Sequence, residues 1–150
     1  MDKHDFKRFP ELTNNQMNFY YFDSPHRQIT EDFFARVIDV HDGDTIRIRW
    51  DERDFDFPVR FSNIAAPELE ELGGKESQRW LEGRLLNKDI LIIIDDKNRV
   101  EKWGRLLGKI ISDGIDVGEE SVNNGMSKRF GDFAEGVIID FMGELDAVKL

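Results

Sequence analysis

The strongest constraint on this chain is a pair of β-type runs folded about one short acidic turn. Ala35-Arg36-Val37-Ile38-Asp39-Val40 precedes His41-Asp42-Gly43-Asp44-Thr45, and Ile46-Arg47-Ile48-Arg49-Trp50 follows, alternating apolar and basic. Side chains of a strand alternate between its faces, so such runs bury one face and wet the other. An Asp-Gly step between them predicts a hairpin in which Gly43 supplies the positive φ of a tight turn. The turn also sets Asp42 and Asp44 at a strand end, where carboxylate oxygens can converge on a hard cation. Alternation points His41 away from Asp42.

The rest of the chain extends this pattern. Strands are predicted at Phe33–Val40, Thr45–Trp50, Phe57–Ile64, Ile90–Ile94 and Leu106–Ser112, with Asp51–Asp56 as a polar turn. Lys75–Asn87 reads as a helix with Trp80, Leu81, Leu85 and Leu86 on one face, and Val117–Asn124 as a shorter one closed by Gly125. Asp113-Gly114 signals another turn. Phe133, Val137, Phe141, Leu145 and Val148 recur at helical spacing and predict an amphipathic helix over Asp132–Lys149. Five strands with a helix between the third and fourth is the order of a five-stranded OB-fold barrel, a mainly β class with helices. The division that follows is an N-terminal arm over 1–32, its Phe19-Tyr20-Tyr21-Phe22 run covering part of the core, and a domain over 33–150 that includes the C-terminal helix.

Composition narrows the function classes. At 150 residues, 39% hydrophobic and 35% charged, the chain suits one charge-rich globular domain, with no membrane span or secretory leader expected. A cytoplasmic monomer is the default expectation. Zero cysteines exclude disulfides and thiolate metal sites. A formal charge of −10 argues against a protein that coats nucleic acid generally, though an enzyme acting on nucleic acid needs only a local cationic cluster. His4, His26 and His41 are too scattered for a zinc site.

Along the chain, Asp42-Gly43-Asp44-Thr45, Arg60, Pro67-Glu68, a helix opening near Lys75, Lys102-Trp103-Gly104-Arg105 and Asp113-Gly114 occur in that order. From about Phe33 to Phe130 the chain thereby resembles the thermonuclease family, typified by staphylococcal nuclease. The resemblance implies calcium-dependent hydrolysis of DNA or RNA phosphodiester bonds with little sequence preference. It also implies roles. Asp44 would be a direct metal ligand, Asp42 would stand behind it, and the Ala66 carbonyl would add an oxygen. Glu68 would activate or order the attacking water, Arg60 and Arg105 would grip the phosphate, and Lys102 and Trp103 would contact flanking substrate. Guanidinium suits the gripping role because its fork matches two oxygens and stays charged. Each residue has an ordinary alternative too; Arg105, for one, could simply pair with Glu101 or Asp96.

One position departs from the family pattern. The segment Asn63-Ile64-Ala65-Ala66-Pro67-Glu68 carries Ala65 where the family has a second metal carboxylate. Hard-cation affinity tracks the number of charged oxygens, so this loss weakens resident calcium binding. Magnesium or manganese, which keep waters and accept few carboxylates plus phosphate, become alternatives. The same alanine motivates a second class of function, a nuclease-like OB module that binds nucleic acid or protein with weakened turnover. A third, purely structural reading makes Phe19–Phe22 and the terminal helix a protein-interaction piece.

Overall fold

A computed structural model describes residues 3–130 and the short backbone stretches 138–139 and 145–146. Its centre is a closed barrel. Strands β1 (Phe33–Asp42), β2 (Thr45–Arg49) and β3 (Phe57–Phe61) form an antiparallel meander. The dipeptide strand β4 (Ile64–Ala65) and helix α2 (Gly74–Leu85) come next, then β5 (Asp89–Ile93) and β6 (Leu106–Ser112). β5 pairs antiparallel with both β1 and β6, and β6 closes the barrel on β3 in parallel register, Val59 opposite Leu106 and Arg60 opposite Leu107. This is the expected OB-fold order.

Alternation explains the core. Val37, Ile46, Ile48, Val59, Phe61 and Ile92 point into the barrel and are fully buried, while Arg47 and Arg49 on the other face of β2 are exposed. Helix α2 covers one opening with Leu81 and Leu85, both fully buried. Trp80 is only partly buried. After β6, Asp113 and Gly114 take positive φ (53° and 76°) and turn the chain into β7 (Ile115–Asp116). Helix α3 (Val117–Asn123) starts at Asp116, whose side chain accepts from the Glu119 amide at 3.1 Å, and Gly125 follows it at φ 74°. β8 (Lys128–Arg129) pairs with β4.

Three expectations change. The run from Phe57 to Ile64 is two strands, because the chain breaks pairing at Ser62-Asn63 so that Ile64–Ala65 can join β8. Gly43 does not have positive φ. Its lack of a side chain matters for another reason: a Cβ there would stand 1.8 Å from Ser77 Oγ and 2.7 Å from Ala66 Cβ. The glycine lets the turn lie against α2. Finally, the aromatic run of the arm does not cover the core. Thr13 caps a short helix α1 (Asn14–Tyr20) through a capping box, and a 3₁₀ turn follows over Tyr21–Asp23. This leaves Phe19 70% and Phe22 96% exposed.

What seats the arm is Leu12 and Ile29, both buried, together with one carboxylate. Glu11 is 2% exposed and bonds Arg53, from the turn after β2, and Arg99, from the loop after β5, the latter at 2.9 Å. Arg99 also donates to the carbonyls of Ile29 (2.6 Å) and Leu12 (3.0 Å). Arg53 stacks over Phe57, 4.6 Å from the ring centre, and its Nε and Nη1 have the aromatic faces of Phe57, Trp50 and Phe55 in place of a hydrogen-bond acceptor. Burial pushes the Arg99 guanidinium below its ordinary value, and Glu11 opposes that shift.

The C-terminal helix expected over Asp132–Lys149 lies largely outside the described residues. Within that span only β9 (Ile138–Ile139) and β10 (Leu145–Asp146) are described, and they pair antiparallel. No helix of the described residues is long and apolar enough to cross a membrane.

Candidate active site

The β1–β2 turn, the end of β3, the β4–α2 loop and the β5–β6 loop meet at one mouth of the barrel around a cleft of about 900 Å³. Asp42 and Asp44 line it from the turn, Arg60 from β3, and Ala66 and Glu68 from the β4–α2 loop. Lys102, Trp103 and Arg105 line it from the far side. All eight residues singled out in the sequence therefore share a single cavity. Two registers bring them there: Thr45 lies opposite Arg60 across β2–β3, and Val59 opposite Leu106 across β3–β6.

Asp44 is the best-determined group. It is 5% exposed, and both its oxygens are engaged. Oδ2 accepts from Arg60 Nη2 at 3.1 Å and from the Ala66 amide at 2.9 Å; Oδ1 accepts from Thr45 Oγ1 at 3.1 Å. Asp42 Oδ1 accepts the Asp44 amide at 3.1 Å, bracing the turn. Burial raises the Asp44 carboxyl to about 6, Asp42 adds to the rise, and Arg60 with the Ala66 amide opposes it.

The two arginines are both tied to carboxylates. Besides Asp44, Arg60 donates to the carbonyls of Phe61 (2.8 Å) and Ile64 (3.2 Å), and its guanidinium sits 5.0 Å from the centre of the Phe130 ring. That fixes its plane. Arg105 forks onto Glu101, Nε at 2.8 Å and Nη2 at 3.1 Å, while Nη1 reaches only Thr45 Oγ1 at 3.4 Å. The hydrogen bond it donates to Glu101 raises Arg105 above its ordinary value. Of the two partners the sequence offered for Arg105, Glu101 is the one it uses.

Glu68 stands exposed on the rim, its amide held by Glu71 Oε1 at 3.1 Å. A hydrogen bond with Glu70 and the charges of Glu70 and Glu71 raise its carboxyl above the ordinary range. Trp103 is 66% exposed with Lys102 Nζ 5.0 Å from its ring centre, which leaves its ring open to the cleft. Thr45 and Phe130 are site residues whose parts only the structure reveals. His41 is a correction. A register shift between Val40 and Asp42 breaks the alternation, and His41 lines the cleft instead of pointing away from it.

A resident hard cation does not fit these donors. Three of the roughly four acceptor sites of the Asp44 carboxylate are taken by an arginine, an amide and a hydroxyl, and position 65 offers a methyl group in place of a second carboxylate. Among the described residues no group of three or more His, Cys, Asp or Glu side chains could hold a metal ion.

Comparison with known families adds one result. A family model described as staphylococcal nuclease homologue matches residues 58–135, just over half of the chain. The matched stretch starts in β3, so the Asp42–Thr45 turn and the arm lie before it. No curated protein matches the chain.

Proposed function

We propose that this chain, which belongs to the staphylococcal nuclease homologue family, hydrolyses phosphodiester bonds of DNA or RNA at its barrel mouth. The observation that carries the reading is the placement of two guanidinium groups on either side of one buried carboxylate. Arg60 contacts Asp44 directly, and Arg105 reaches it through Thr45.

In this reading a phosphodiester enters the cleft with its non-bridging oxygens toward Arg105 and the open edge of Arg60. Fixed cations lower the cost of the charge that gathers on those oxygens as water adds to phosphorus. Glu68 takes the proton of the attacking water; a carboxyl raised by acidic neighbours is a better base near neutral pH than an ordinary one. As the water oxygen bonds to phosphorus the bond to the leaving oxygen breaks, and that oxygen leaves as an alcohol by taking a proton from solvent. Trp103 stacks on a base beside the scissile phosphate, and Lys102 meets a neighbouring phosphate. Calcium in this family supplies further positive charge. Here a divalent ion, whether calcium, magnesium or manganese, would travel in on the substrate's own phosphate oxygens rather than wait in the protein.

The carboxylate pairing of both arginines, with Ala65, favours a second reading: a module that holds nucleic acid without turning it over. One experiment separates the two. Labelled single-stranded DNA and RNA are incubated with the protein in calcium, magnesium, manganese or chelator, and both cleavage and binding are followed. Cleavage that disappears in Glu68→Gln and Arg105→Ala supports the nuclease. Binding in chelator without cleavage in any metal supports the module and rejects hydrolysis.

A further inference from the structure

The cleft does not end at Trp103. A small depression of about 180 Å³ shares Trp103 and Arg105 with it, and on its other side shares Arg8, Pro10, Phe57 and Pro58 with a groove of about 660 Å³. The groove runs between the N-terminal arm and the outer face of β2 and β3. Its charged walls are Lys7, Arg8, Arg47 and Arg49 against Asp54 and Asp56, a cationic surplus on a chain of formal charge −10. Asp56 is shared by Arg47 and Arg49. Lys7 and Arg8 are exposed and take part in no ion pair among the described residues. Arg8 instead lies over the Phe9 ring, 5.1 Å from its centre, at the junction of groove and depression. Phe9 in turn packs where a Cβ on Gly104 would be, 2.7 Å away, so the arm touches the loop that carries Trp103.

From these contacts we infer that the arm and the β2–β3 face form a binding track for single-stranded nucleic acid, continuous with the barrel-mouth cleft. Its phosphates would meet Arg8 and Lys7 on the arm and Arg49 on β2. Phe6 and Phe55 line the groove, and Trp103 stands at the far end of the depression. Phe6 and Phe55 are half-buried and offer only ring edges and partial faces, whereas Trp103 is exposed. An exposed ring rewards unpaired bases, whose faces are free to stack, and a duplex hides those faces. The inference rests on the nucleic-acid reading above and deepens it: the favoured substrate is a strand long enough to lie on the arm as well as in the cleft. The arm precedes the stretch that the family model matches.

Anisotropy in chelator with a labelled dinucleotide, a single strand of about twelve nucleotides and a duplex of equal length tests it. The strand is expected to bind at least about thirtyfold more tightly than the dinucleotide, and more tightly than the duplex. The double variant Lys7→Ala/Arg8→Ala, whose side chains are exposed and whose folding is checked by its Tm, should shrink that ratio to about threefold. Loss of two phosphate contacts should also flatten the salt slope by about 1.4. Arg49→Glu should shrink the ratio likewise. An unchanged ratio in both variants, a wild-type ratio near one, or duplex binding as tight as the strand overturns the track. Cleavage by the wild type with no dependence on length removes the track and leaves the nuclease. Length-dependent binding without cleavage keeps the track and removes hydrolysis.

Discussion

Glu101 holds Arg105 by both carboxylate oxygens, at 2.8 and 3.1 Å, in the cleft where that arginine would have to receive a phosphate. The two anions compete for one fork. Substituting Glu101→Gln should therefore raise affinity for a mononucleotide about fivefold, roughly 1 kcal/mol, as measured by calorimetry. A fall in affinity would mean that Glu101 orients Arg105 for its ligand instead of occupying it.

Asp44 gives the pH signature. Its carboxyl lies at about 6 in the fold against an ordinary 3.8, chiefly through burial. Between these values the folded chain keeps a proton that the unfolded chain has released, so folding stability from this group falls as pH rises through that window and is level above it. Urea unfolding of the wild type and of Asp44→Asn, compared stepwise from about pH 4 to 7, should show the wild type losing about 2–3 kcal/mol relative to the variant. Hydrolysis, which needs the ionised carboxylate in contact with Arg60, should rise through about pH 6 over the same interval.

Ala65 precedes the amide that Asp44 accepts, and it bears directly on cation binding. The free wild-type protein should show no calcium uptake by calorimetry at concentrations up to about a millimolar. Ala65→Asp, which returns a second carboxylate to this edge of the cleft, should bring calcium affinity up by tenfold or more, about 1.4 kcal/mol. Tight calcium binding by the unaltered chain without nucleotide would contradict the donor analysis.

Gly43 tests the seating of the turn. Its substitution by alanine drives a methyl group into Ser77 and Ala66 and should destabilise the fold by about 2 kcal/mol, lowering Tm by roughly 6 °C. Ser77→Ala in the same chain should recover part of the loss, since it removes the nearest atom, Ser77 Oγ. Gly114→Ala serves as the contrast: its added methyl meets nothing within 4 Å, and its cost is the strain of φ 76° alone.

These comparisons show which features a one-dimensional pattern can carry. β1 and β2 were legible because Val37, Ile46 and Ile48 alternate with Arg36, Arg47 and Arg49, β5 because Ile90–Ile94 is a short apolar run, and α2 because Leu81 and Leu85 recur a turn apart. The break at Ser62-Asn63 was not, since it answers a partner strand some 65 residues onward. Phe19–Phe22 misled because aromatic content says nothing about whether a surface waits to receive it. At the cleft, the acidic turn, the two arginines and Glu68 could be named in order from their motifs. Their convergence depends on pairings between distant strands, and His41 entered through a bulge that no alternation rule anticipates. Glu11 looked like any other surface acid, because nothing local distinguishes a buried carboxylate from a solvated one.

That carboxylate ties together segments that a reader of family boundaries would treat separately. A shortened chain beginning at residue 33 would strand Arg53 and Arg99 indoors without their counter-ion, a change of the kind that costs about 3–5 kcal/mol. Arg99 sits a few positions ahead of Trp103 and Arg105 and accepts the Leu107 amide on its carbonyl at 2.8 Å. Pruning the front end would therefore slacken the far wall of the cleft, and dissecting this protein into a barrel and a dispensable arm would damage the thing being dissected.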